Sequence, residues 1–438
     1  MEQFLISLIF VFVLYSAFKN SALSLAIILN IVVFRAIPYV NYKYPVYGYY
    51  NENDILLGAI LPIVTFLIIV FKIFFKKKKV KFHLDVFDAF MFLLTFIMIT
   101  SIIISPFKTK SIYYTGIYLF LGFPFYLVTK LYFSNVVDYK KKIYQFFFSV
   151  VFFAFIFSVN SLYLHSIARY PYERMTFPGV YPIPFCLFLC LALIILLVYR
   201  VKPSFKFGLN KKQKVIFSLP VLGVVIFSII KTNTRGPVFA LILSVITLLF
   251  IFFKIKLNTK IIMGFLISLI IGVTSFFVAF DVSKVAVRFI NLMPKDAESI
   301  TPRLMAYIDS IKILFTRPLG ISVGTFGMYY SDQSSVDNDT GTYAHNLFME
   351  FISSFGIFGV MLSLILIYIL LFEYNFLIKN QQRIFSEPIF FTSIVLFFFF
   401  FFETQFSFTL NTHKGFYFSM ALYSILKYKF LKQKHLDA

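Results

Sequence analysis

Arg235, Arg303 and His345 are the side chains of this sequence best suited to bind an anion and to accept a proton. A guanidinium stays charged and grips phosphate through two parallel hydrogen bonds. An imidazole titrates near ~6.5, so it accepts a proton close to neutral pH with little tuning. Arg235 stands where Gly236 and Pro237 open the apolar run GPVFALILSV. A helix beginning there offers free N–H groups and a positive partial charge, and an arginine beside them makes an anion site. In SITPRLMAYIDSIKILF, Thr301 reads as an N-cap and Pro302 as the first helical residue. Arg303 then falls in the first turn and repeats the arrangement. An arginine against a positive helix end is locally unfavourable, and a bound diphosphate relieves it. His345 heads the apolar run in TYAHNLFMEF, followed by Asn346 and Glu350 at helical spacing. The bland alternative is that each arginine snorkels to lipid headgroups and the histidine anchors at an interface.

Other candidates are weaker. Arg169 and Arg174 lie among aromatics in HSIARYPYERMTFPGV and read as further substrate contacts; Arg288 and Arg317 raise the same question. The acidic stretch SDQSSVDNDTGTY lacks the ligand spacing of an EF-hand and reads as a solvated loop. Cys186 and Cys190, four apart in one apolar run, read as core residues rather than ligands. Glu403 ends a phenylalanine-rich run, where it either pairs with an arginine or reaches the interface. There is no phosphate-binding loop, nucleophile elbow or HExxH, and no metal or cofactor is expected.

The elements that must position these residues are membrane helices. The chain is 60% hydrophobic and only 14% charged, against roughly a quarter charged in soluble domains. Continuous apolar runs near ~20 residues recur throughout, which predicts an all-α polytopic membrane protein. The net charge of +22 does not point to nucleic acid. Its lysines collect in short blocks such as KKKKVKF and DYKKK between apolar runs, as cytoplasmic loops do, beside anionic headgroups. Expected spans lie at 55–75, 85–105, 112–134, 144–164, 181–199, 215–230, 237–253, 261–280, 346–372, 388–405 and 415–427. Residues 1–37 add one span or two, giving about twelve or thirteen transmembrane helices. Every strongly basic loop then falls on the side of the C-terminal tail. MEQFLISLIF lacks a basic n-region and reads as a retained first span. The expected organisation is an N-terminal bundle (1–280), a long extracytoplasmic loop (281–345) containing an amphipathic helix, and C-terminal spans with a basic tail (346–438). A loop that long is usually functional.

Taken in order, TNTRGPVFALILSV, the long loop with its Pro-Arg helix, the stretch TRPLGISVGTFGMYYS and AHNLFMEFISSFGIFGVM resemble the bacterial O-antigen polymerase and O-antigen ligase superfamily of membrane glycosyltransferases. The specific likeness covers roughly 230–375. It implies a polyprenyl diphosphate-linked glycan donor and acceptor, and a metal-independent, inverting transfer at the outer face of the bacterial inner (cytoplasmic) membrane. It also implies membrane lipids, a flippase and a chain-length regulator as partners. Arg235 and Arg303 match the family arginines that hold the diphosphate, with Gly236 beside the first. His345 matches the family histidine that assists the acceptor hydroxyl or binds diphosphate, with Asn346 next to it. Thr234 stands where serine is usual. The chain has no tryptophan, whereas ligases often carry one in the glycine-rich stretch. The expectation is therefore a polysaccharide polymerase, with a ligase moving the glycan to a lipid core or a protein as runner-up. A lipid-linked oligosaccharide flippase would need charges lining its spans, and the expected spans carry few beyond Lys72, Lys130, Glu350 and Glu403.

Overall fold

The computed structural model of the chain describes residues 2–34, 37, 56–76, 79–166, 175–177, 180–201, 211–253, 297–330, 344–406, 410 and 413–436. All regular elements among them are helical, as expected of an all-α membrane protein. They are α1 (Glu2–Lys19), α2 (Ser21–Leu29), α3 (Leu61–Lys76), α4 (Val86–Ile104), α5 (Lys108–Ile117), α6 (Phe123–Asn135), α7 (Tyr139–Ser166), α8 (Pro182–Val201), α9 (Lys211–Thr232) and α10 (Arg235–Phe253). After these come α11 (Ala297–Thr316), α12 (Phe326–Tyr330), α13 (Leu347–Phe355), α14 (Ile357–Lys379), α15 (Pro388–Glu403) and α16 (Lys414–Leu436). Seven helices among the described residues are long and apolar enough to cross a membrane. The chain is a multi-pass membrane protein. The expected span 261–280 and residues 38–54 lie outside the described residues.

The helices bury one face and leave the other apolar as well. On α4, Phe92, Phe96, Ile99 and Ile103 are exposed; on α14, Met361, Leu364, Tyr368 and Leu371 are. Apolar side chains at helical spacing on the outside of a bundle face hydrocarbon rather than water. By contrast α15 is enclosed: nearly all of it, from Pro388 through Phe401, is buried. It packs against α10 and α16. Two π-turns, Leu56–Ile60 and Tyr118–Gly122, each stand just before a proline, Pro62 and Pro124. Proline cannot donate to the preceding turn, and the wider turn absorbs that missing bond.

Two sequence expectations change, and residues 1–37, left open between one span and two, take a definite form. Residues 1–37 hold a reversal: Ser24 Oγ bonds Ser16 Oγ at 2.7 Å and Val13 O at 3.3 Å, so α2 folds back on α1 after Asn20. The amphipathic helix starts at Ala297, not after Thr301. Ala297 and Glu298 are strong helix formers, and an acid suits the first turn. Thr301 therefore lies inside the helix and is not its N-cap, and Arg303 stands in the second turn. The span expected at 346–372 is broken at Gly356, which separates α13 from α14 with φ 58°. A Cβ there would lie 1.9 Å from Pro318 O, so only glycine allows this close crossing.

Candidate functional site

The helix ends gather into two contrasting layers. At the end of the bundle bearing the basic loops, charges pair internally. Asp85 caps α4 in a reciprocal capping box with Asp88. Lys130 bonds Asp88 and lies 3.3 Å from Asp85. Lys427 bonds Glu373 at 2.6 Å, and Tyr423 donates to the same carboxylate at 2.6 Å.

The other end collects turns. Residues 231–236, 317–325, 344–346 and 403–406 lie there, linked through the Leu347 N to Thr404 O bond and the Phe239–Phe406 ring contact. α10 begins at Arg235, as expected, with Gly236 and Pro237 in its first turn. Proline is tolerated there because those N–H groups have no helical partner. The turn before it is built from Thr232, whose hydroxyl donates to Ile229 O at 2.6 Å and lies 2.9 Å from Thr234 Oγ1. Asn233 between them has φ 49°. The Cys186 thiol rests against both threonine hydroxyls, 4.0 Å from Cys190 Sγ. Both cysteines are fully buried, in keeping with a core role.

His345 opens the second turn with φ 53°. Asn346 follows as the N-cap of α13, its Oδ1 accepting from Phe348 N at 3.0 Å and Met349 N at 3.2 Å. Its carboxamide oxygen thus fixes the direction in which His345 leaves the helix. α13 has nine residues, too short to cross a bilayer, which needs about 20. Glu350, on its first turn, is buried, and both of its oxygens accept from Leu410 N at 2.9 Å. Burial pushes this carboxyl up to about 8, although the Leu410 N–H favours the charged form.

The corner between α15 and α16 sits between these turns. Thr404 O accepts from Leu347 N at 3.1 Å, two residues after His345. Phe406 packs on Phe239, one turn after Arg235, at 6.2 Å between centroids. The corner thus touches the elements bearing both residues. It also holds a buried histidine–carboxyl pair that sequence reading missed: His413 Nδ1 lies 3.8 Å from Glu403 Oε2. Glu403 was visible as an acid in a phenylalanine run, but nothing in the spacing tied it to His413, ten residues on.

Arg303 lies on α11, which packs against α13. Both helices end at the same junction, where Ile321 N bonds Ser353 O at 3.0 Å and Ile357 N bonds Pro318 O at 2.8 Å. They therefore run in the same direction, and Arg303 precedes that junction by several turns, on the side from which α13 also starts. Arg169, Arg174 and Arg288 lie outside the described residues. No three His, Cys, Asp or Glu side chains among the described residues are disposed to hold a metal ion.

All the positive-φ residues of the described chain lie at this end: Asn233, Ser322, His345, Gly320, Gly324 and Gly356. Non-glycine residues in that region cost about 1–3 kcal/mol each and concentrate at functional sites. Residues 220–364 match the family described as O-antigen ligase. No curated protein and no solved structure gives a significant match.

Proposed function

We propose that this chain, a member of the O-antigen polymerase and ligase superfamily through its residues 220–364, is a polysaccharide polymerase of the bacterial inner membrane. It takes a glycan from polyprenyl diphosphate and adds it to the next lipid-linked repeat unit. The reaction runs at the extracytoplasmic end, where the strained turns gather. The acceptor hydroxyl attacks the anomeric carbon from the face opposite the diphosphate. One glycosidic bond forms, the bond to the diphosphate oxygen breaks, and the hydroxyl proton passes to His345. Arg235 and Arg303 hold the departing diphosphate as its charge grows, the electrostatic term that is usually largest in such transfers. Gly236 leaves the first turn of α10 open to that anion, and Asn346 aims His345. Arg169 and Arg174 extend the substrate contacts. A flippase must deliver the lipid-linked units to this face, and a chain-length regulator is the further expected partner.

The observation that carries this reading is the pair of strained residues, Asn233 at φ 49° and His345 at φ 53°, on either side of one corner. A bundle held together only for stability has no use for such turns next to an arginine and a histidine. The flippase alternative is disfavoured by the charges on the described spans: Lys130 and Glu373 are tied to Asp88 and Lys427. The ligase reading keeps support from the family description itself.

Acceptor identity separates the two. The purified chain is reconstituted in liposomes with a single defined lipid-linked repeat unit and no other acceptor. A ladder of longer lipid-linked chains is expected. Absence of a ladder, with transfer appearing only when a lipid core or a protein hydroxyl is added, would overturn the polymerase reading in favour of a ligase.

A further inference from the structure

α13, with nine residues, is too short to cross the bilayer, so its tilt is set by what holds its two ends. The C-terminal end is fixed to the glycine-rich strap 317–325: Ile321 N bonds Ser353 O at 3.0 Å and Ser322 N bonds Ser354 O at 2.8 Å. The strap is fixed in turn to α4, where the Ser322 hydroxyl lies 2.9 Å from Ser101 Oγ. The N-terminal end, capped by Asn346 next to His345, meets the corner after α15. Leu347 N bonds Thr404 O at 3.1 Å, and Phe348 packs edge-on against Phe401 at 6.3 Å between centroids.

The third tie at that end is of another kind. Glu350 is buried on the first turn of α13, and each of its carboxyl oxygens lies 2.9 Å from Leu410 N. The same residue presents its carbonyl to α16, where Tyr417 OH donates to Leu410 O at 2.6 Å. Leu410 and Tyr417 are themselves buried. One residue of the corner is thus gripped at its N–H from α13 and at its C=O from α16. Burying a carboxyl is costly, and one N–H offsets only part of that cost. Apolar packing would join α13 to the corner without it, as Phe348 and Phe401 do. A buried, directional polar contact instead fixes one arrangement more sharply than packing does.

What it fixes is the placing of His345. The corner belongs to the frame that carries Arg235: α15 packs on α10, and Phe406 lies against Phe239, one turn after Arg235. Nine residues of helix span about 13 Å, so a tilt of about 5° around the strap-bound end moves His345 by about 1 Å. We infer that Glu350 is a positioning residue for the transfer: by holding Leu410, it sets His345 against the turn that bears Arg235. This inference rests on His345 acting in the transfer, as proposed above.

The test separates position from stability. Glu350→Leu removes the acceptor and keeps an apolar side chain; Glu350→Gln keeps an acceptor oxygen at the same reach. Each is compared with the unaltered full-length chain in proteoliposomes at matched amounts of folded protein. In Glu350→Leu, kcat should fall about 10²-fold, as for a displacement near 1 Å, with KM for the lipid-linked donor unchanged. Backbone hydrogen exchange across residues 404–413 should rise in the same variant. Glu350→Gln should restore both kcat and protection. Because Glu350 works through His345, adding Glu350→Leu to His345→Ala should slow extension no further. If Glu350→Leu gives no folded protein, Tyr417→Phe replaces it; it frees only the Leu410 carbonyl and should act in the same directions with smaller effect. Unchanged kcat with only yield or melting temperature lowered would make the contact structural and overturn the inference. So would unchanged exchange at 404–413, or a Glu350→Gln as slow as Glu350→Leu. Full-rate extension in His345→Ala would remove the His345 assignment and this inference with it, whereas a slow His345→Ala beside a full-rate Glu350→Leu removes this inference alone. If the unaltered chain transfers only to an added lipid core or protein, the polymerase reading fails and the same comparison is made on that transfer.

Discussion

The two ends of the bundle solve different problems with different means. At the end with the basic loops, ionised side chains are buried and neutralised: Lys130 between Asp85 and Asp88, Glu373 beneath Lys427 and Tyr423. The backbone there is regular. At the other end the backbone itself is bent, and every positive-φ residue of the described chain is found there. Buried ion pairs add little net stability, but losing one partner is expensive. They act as locks between α4, α6, α14 and α16. Strained turns lower stability and persist only where the surroundings hold them. One end fixes how the helices sit; on the proposed function, the other uses that fixed frame to aim side chains.

Substitutions at the two ends should have different effects. Lys130→Met strands the buried Asp88 carboxylate beside the half-buried Asp85 and should cost about 3–5 kcal/mol. Yield and thermal stability in detergent should fall sharply, while the transfer rate per folded molecule stays as in the unaltered chain. A selective loss of rate instead would mean that the paired end takes part in the reaction. Glu350→Gln probes the opposite end. With its carboxyl raised to about 8 in the folded chain, against about 4.3 when unfolded, the folded state binds the extra proton between those values. Stability from this group is therefore full below pH ~4 and is lost as pH rises through ~8. Melting temperature across pH 5–9 should decline more steeply in the unaltered protein than in Glu350→Gln; parallel curves would show that Glu350 does not titrate as described. The smallest effect is expected from Asn233→Gly. It relieves a left-handed residue and should raise stability by up to about 1 kcal/mol, with a slower transfer as the turn before Arg235 loosens. A gain in both would mean that the strain has no part in aiming Arg235.

Much of the fold could be read from hydropathy, because lipid permits little except helices. The lysine blocks marked one end of the bundle, and the charged locks lie at that end while the strained turns lie at the other. Arg235 was legible because Gly-Pro after an arginine marks a helix start. His345 was legible because a polar pair precedes an apolar run. What was hidden depends on tertiary contact. Gly356 sits in an unbroken apolar stretch, and only the approach of Pro318 explains the break there. Glu403 and His413 face each other across a corner that no local pattern predicts. The start of α11 was misplaced because the cap signal at Thr301-Pro302 was outweighed by the helix-forming residues before it.

On the proposed mechanism Arg235 and His345 act on one transfer at the strained end. The most direct measurement is the rate of chain extension in proteoliposomes, with Arg235→Ala and His345→Ala prepared at matched amounts of folded protein. Each should slow extension by about 10²–10³-fold, and the double variant should be hardly slower than the worse single, as for residues that act as a unit. Extension at the unaltered rate in either single variant, with normal ladder length, would contradict the claim.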